Sequence, residues 1–150
     1  MSAATDTTAR ARSGQLATFR LDGDLYGVEV EHVQEVLRSQ HLTRVPLAPS
    51  AVAGLINLRG QVVTAIELRE RLGRPPRPEG TDAVVIVVRL HGEAVSLLVD
   101  SIADVVDVDA SDFEAPPDTL EGPGRELIRG AYKLHGQLLL ALDVHKAVSP

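Results

Sequence analysis

The chain has no cysteine and no tryptophan, and two phenylalanines and two tyrosines are its only aromatics (Phe19, Tyr26, Phe113, Tyr132) among 150 residues. Without cysteine there is no disulfide, no zinc–thiolate site and no thiol nucleophile. Four aromatics are too few for a base-stacking platform, and a formal net charge of -6 suits a phosphate backbone poorly. Both features disfavour nucleic acid as a partner, and none is expected. The apolar runs are short: Ala83–Val88 and Leu138–Leu142 fall far below the length needed to cross a bilayer as a helix, so no membrane insertion is expected. The first residues, MSAATDTTARARSG, lack the apolar stretch of a signal peptide. The five histidines have no i, i+4 pairing, and the acidic run from Asp100 to Asp118 lacks the glycine and closing glutamate of a calcium loop. No phosphate-cradle, dinucleotide or nucleophile-elbow motif is present. No catalytic residue, metal site or cofactor is expected. The length suits one domain, or two small subdomains sharing a core.

What is present is Val- and Leu-rich hairpin sequence broken by X-Gly turns. Residues 1–14 read as a disordered arm and 15–150 as the folded unit. Asp22-Gly23 joins strands at Gln15–Leu21 and Leu25–Val30. Glu31–Arg38 reads as one helical turn followed by a strand, and Leu42–Val45 as extended. Gly54–Arg69 is a hairpin turning at Arg59-Gly60, its near-continuous apolar content suggesting strands covered on both faces. Leu68–Leu72 is a short helical turn, and Arg74–Asp82 (RPPRPEGTD) an exposed Pro-rich loop. Strands follow at Ala83–Leu90, Glu93–Val99 and Ile102–Val108. Asp109–Gly124 reads as a long loop. A last hairpin spans Arg125–Leu134 and Gln137–Val144, with a short helix at Asp143–Val148.

The pieces repeat. Phe19–Val36 aligns with Val88–Val105, and Gly54–Leu68 with Gly130–Val144, the second pair sharing Gly54/Gly130, Leu58/Leu134, Gly60/Gly136, Gln61/Gln137 and Ala65/Ala141. Any hairpin of alternating Val and Leu resembles another, but matched turn glycines and glutamines favour duplication. The fold class read from this is all-β with short helices: two similar five-stranded β-barrel subdomains, each about half the chain, sharing a hydrophobic core. At the Arg59 turn the second copy carries His135, so the fold alone does not require a fixed charge there. An arginine at a hairpin tip is also the ordinary solvated turn residue.

Tyr26-Gly27, Val33-Gln34-Glu35-Val36, Gly54-Leu55-Ile56-Asn57-Leu58-Arg59-Gly60-Gln61-Val62-Val63, Ile66-Glu67-Leu68-Arg69 and Val99-Asp100-Ser101-Ile102-Ala103-Asp104-Val105 resemble, in that order, the CheW family of bacterial chemotaxis coupling proteins. The similarity runs from about Gln15 to Val148. Thr64 stands where the family usually has Pro, and Glu67 where it usually has Asp, which leaves room for a paralogue serving surface motility or another pathway. The resemblance implies a stand-alone, non-catalytic cytoplasmic adaptor, recruited to membrane-associated receptor arrays and monomeric in isolation. Its partners would be the cytoplasmic tip of a methyl-accepting chemoreceptor and the regulatory domain of the histidine kinase CheA. It also places Val33, Glu35, Val36, Arg59, Val84 and Ile102 near the receptor-facing groove, and Gly54 and Gly60 near kinase-facing surface. For Val33, Val36, Val84 and Ile102 plain packing is the competing reading; for Glu35 and Arg59 it is a surface ion pair. A small-molecule-binding barrel and a nucleic-acid-binding barrel are the alternatives of other classes. The first needs a polar convergent pocket, which Val- and Leu-rich strands do not supply.

Overall fold

The computed structural model describes residues 13–149. The first twelve positions of the expected arm lie outside the described residues, while Gly14 already belongs to a strand. The chain runs β1 (Gly14–Leu21), β2 (Asp24–Glu29), β3 (Val33–Leu37), β4 (Val52–Leu58), β5 (Gln61–Glu67), α1 (Leu68–Arg71), β6 (Val84–Leu90), β7 (Glu93–Val99), β8 (Ser101–Val108), β9 (Phe113–Glu114), α2 (Gly122–Leu127), β10 (Ile128–Leu134), β11 (Gln137–Leu142) and α3 (Val144–Ala147). A 3-10 turn at Val30–His32 separates β2 from β3, and another at Ala110–Asp112 precedes β9.

Two sheets result. One has the order β8-β1-β2-β11-β10-β9 and the other β3-β6-β7-β5-β4. The second sheet is drawn from one continuous stretch of chain, the first from both ends. Each sheet takes strands from both copies of the repeat, because β3 and β8 each leave their own hairpin for the opposite sheet. The registers correspond in detail. In the first sheet β11 runs parallel to β2 with Ala141 opposite Gly27; in the second, β5 runs parallel to β7 with Ala65 opposite Ser96. Phe19 faces Ile102 as Val88 faces Val33, with a register shift just beyond each pair. Both long hairpins also shift register at their first glycine, Gly54 and Gly130.

The largest core lies between the sheets, where Phe19, Leu21, Tyr26, Ile66, Leu68, Ile86, Leu97 and Leu142 meet. Each such side chain, fully removed from water, contributes about 1.5–3 kcal/mol. A smaller cluster fills the inside of the first sheet (Leu16, Leu25, Tyr132, Leu139) and another the inside of the second (Ile56, Ala65, Val85, Val87, Leu98). The strands are therefore apolar on both faces where a sheet separates two cores. The cover fails near the β4–β5 turn, where Val62 is 67% exposed.

The sequence reading needs correction over its long loop, which holds the short strand β9 and ends in a helix. Gly122–Leu127 is helical, not the end of a loop followed by a strand. Pro123 suits a first helical turn, where its missing N–H bonds nothing, and Leu127 buries into the shared core. Gly-Pro-Gly read alone signals only a break.

Candidate partner-binding site

The β4–β5 turn is built to project one side chain. Arg59 and Gly60 have φ of 51° and 86°, the pair of left-handed residues a type I′ hairpin requires. Asn57 Oδ1 accepts from Gly60 N at 3.0 Å and locks the turn. The Arg59 guanidinium then reaches Glu35 on β3, donating to Oε2 at 2.6 Å and to Oε1 at 2.5 Å. β3 and β4 are the two edge strands of the second sheet. The ion pair therefore spans its open side, and the β3–β4 connection is bridged to β4 as well, Thr43 N to Leu55 O at 2.9 Å with Leu55 N returning to Thr43 O at 2.8 Å. Hydrogen bonding from Arg59 holds the Glu35 carboxyl below the ordinary carboxylate range, and Glu35 in turn raises Arg59. Both stay charged through the neutral range. Gln34 extends the array, donating to Glu35 at 3.3 Å and accepting from Arg89 at 2.8 Å.

Glu35 is mostly covered, whereas Arg59 remains two-thirds exposed and offers a cation to a neighbour. Val36 is adjacent on β3 and half exposed. Val33 lies on the same strand but packs against the shared core. Val84 opens β6 and also packs against that core. Ile102 is exposed on β8, an edge of the other sheet. The structure thus joins Glu35 and Arg59 directly, turns Val36 to the opposite face of β3 from Glu35, and leaves Val84 and Ile102 on other elements. A Cβ at Gly54 would lie 2.6 Å from the Thr43 carbonyl oxygen, so that glycine permits the β4 edge to be bridged. Gly60 faces open space and serves the turn.

A second charged array escaped the sequence reading. Arg69, buried on α1, donates to Asp100 through Nε at 2.9 Å and through its terminal nitrogen at 2.6 Å. Arg77 bonds Glu67 at 2.9 and 3.2 Å and Asp100 at 3.1 Å. Arg74 bonds Asp22, Asp24 and the Tyr26 hydroxyl. These contacts fold the Pro-rich loop down onto both sheets, so its arginines are half-buried rather than free in solvent. The available signal was four arginines within nine residues, but the carboxylates that Arg69, Arg74 and Arg77 meet lie up to 52 positions away.

The CheW-like domain model matches residues 15–149. The chain is similar to the chemotaxis protein CheW of Treponema pallidum, with 32% identity over 139 residues covering 90% of this chain and 82% of that one. It is similar to CheW of Bacillus subtilis at 30% identity, covering 92% and 89%. Among solved structures, the scaffolding protein TtCheW from Thermoanaerobacter tengcongensis superposes with a TM-score of 0.81 at 27% identity, over 93% of this chain and 94% of that one.

Proposed function

The chain belongs to the CheW-like family, a family of chemotaxis scaffolds, and on that premise we propose that it couples a chemoreceptor cytoplasmic tip to the regulatory domain of the kinase CheA. It does so by binding alone, as a cytoplasmic protein brought to the receptor array. The observation that carries the receptor half of this reading is the Glu35–Arg59 pair. It presents a fixed cation at an exposed turn, on a sheet edge that the pair itself keeps shut. A fixed charge on a rigid edge, with Val36 and Val62 exposed on β3 and β5, suits the amphipathic face of a receptor helix.

The test separates contact from closure. Arg59→Ala removes both, whereas the swapped pair Glu35→Arg with Arg59→Glu keeps an ion pair across the seam and inverts the charge the partner meets. Receptor-tip binding is measured by calorimetric titration beside thermal melting. We expect both variants to melt close to wild type and both to bind the tip weakly. Normal binding by both would remove Arg59 from the receptor contact. Rescue of binding by the swap would reduce the pair to a seam closure.

A further inference from the structure

The connection between β3 and β4, Arg38–Ser50, is basic in an acidic protein. No Asp or Glu occurs between Glu35 and Glu67, while Arg38, His41, Arg44 and Arg59 all do, against a net charge of -6 for the chain. Arg59, Arg69, Arg74 and Arg77 each find a carboxylate. Arg38 and Arg44 are exposed, and their guanidinium groups meet no acid among the described residues. Between them and β4 the chain makes a turn at Val45–Ala48, closed by Ala48 N to Val45 O at 3.3 Å, with Pro46 second and Leu47 third. That third position calls for positive φ and normally for glycine. Leu47 occupies it at φ 65° with its side chain fully in solvent. A leucine held in a strained conformation with nothing of its own chain around it is a feature that folding does not ask for. The loop is also anchored: Thr43 is bridged to Leu55, and Val52 N donates to Pro49 O at 2.9 Å. Leu47 is presented on a support that is ordered before any partner arrives, which lowers the entropy cost of docking.

We infer that Arg38–Ser50 is a docking loop that seats Leu47 in an apolar socket of an acidic protein surface, with Arg38 and Arg44 reaching carboxylates around that socket. Charge complementarity selects a protein carrying carboxylates. One side chain on a tight turn is the form of a pocket-filling anchor, and the net negative charge of the chain opposes polyphosphate and anionic-lipid surfaces. The inference rests on the adaptor reading and assigns the kinase regulatory domain as the occupant. An adaptor that holds two partners at once needs a surface besides the Glu35–Arg59 pair, and Leu47 stands on a separate turn.

The test is calorimetric titration of the full chain with the purified regulatory domain of the kinase from the same organism, and in parallel with the receptor tip, at low and high salt. Leu47→Gly removes the anchor while giving the turn its preferred residue, so the variant melts at or above the wild-type temperature. It should bind the kinase domain at least about tenfold more weakly, as loss of an interface anchor does. The double variant R38E/R44E should lose comparable affinity and flatten the salt dependence. Both should bind the receptor tip normally. Unchanged kinase affinity in both variants would overturn the assignment and leave the adaptor reading standing, as would weakening confined to the receptor tip. Self-association, or binding to phosphatidylglycerol vesicles, that Leu47→Gly abolishes while kinase affinity is kept would assign the loop to a different occupant and overturn it too. A wild-type chain that binds neither piece would remove the adaptor reading, and this assignment with it.

Discussion

Single residues carry the clearest mismatches between what folding requires and what is present. Ser96 on β7 points into the small core of the second sheet, 1% exposed, and its hydroxyl has no hydrogen-bond partner. Its counterpart in the other sheet is Gly27, which a Cβ would crowd to 3.1 Å from Leu139 and 3.2 Å from Leu16. A buried hydroxyl without a partner costs about 1–3 kcal/mol. Ser96→Ala is therefore expected to raise the urea midpoint, by about 1 kcal/mol of stability; a lowered midpoint would mean that the hydroxyl is satisfied in solution. Sequence alone distinguished Arg59 at this scale, because the second copy has His135 there. It could not distinguish Ser96 or Leu47. Nothing in their neighbours says that one hydroxyl is orphaned and one leucine left outside.

Among the elements, the hairpins behave as their dipeptides dictate. Asp22-Gly23, Arg59-Gly60 and His91-Gly92 all adopt two successive left-handed residues. At His135-Gly136 only the glycine does, so the last turn is of another type although its sequence looks alike. β10 shows the stricter constraint. A Cβ on Gly130 would sit 2.3 Å from the Phe113 ring and 2.5 Å from the Glu114 carbonyl oxygen, where β9 lies across the bulge. Gly130→Ala should destabilise the fold by about 2–4 kcal/mol, as overpacking against backbone does. Denaturant melts of that variant showing wild-type stability would mean that β9 is free to move away. The repeat made Gly130 visible as a matched glycine. The two-residue strand that makes it indispensable was hidden inside what reads as a long loop. α2 was missed for the same reason, since six residues opened by Gly-Pro-Gly have no periodicity to read.

For the whole molecule, what matters is how two sheets and one loop are fastened together. Asp100, just after β7, accepts from Arg69, Arg77 and the backbone N–H of Asp22 at 2.8 Å, and so ties α1, the Pro-rich loop and the β1–β2 turn into one body. Burial alone would raise its pKa. The hydrogen bonds from Arg69 and from Asp22, with the arginine charges, outweigh burial and hold it below the ordinary aspartate value. A carboxyl whose folded pKa is depressed adds stability that is complete above its unfolded pKa and lost as pH falls through the folded one. Stability should therefore drop steeply below about pH 4. Asp100→Asn should be less stable than wild type at neutral pH and lose less on acidification. Parallel pH profiles for the two proteins would show that Asp100 is not the group titrating.

The sequence by itself determined the local chemistry: strands where Val and Leu run apolar, turns at X-Gly pairs, a duplicated order of hairpins, and an arginine at one turn where the other copy has histidine. Those follow from backbone conformational preference and apolar periodicity, which act over a few residues. Only the tertiary structure decided which strands share a sheet. β3 and β8 cross over, so each sheet is completed by the other copy, and that depends on which faces bury together rather than on any short stretch. The same holds for charge. Glu35 meets Arg59 across 24 residues, Arg74 meets Asp24 across 50, and Arg38 and Arg44 meet no acid among the described residues. A guanidinium's chemistry is written in its residue type, but whether a carboxylate stands opposite it is settled only when the sheets close.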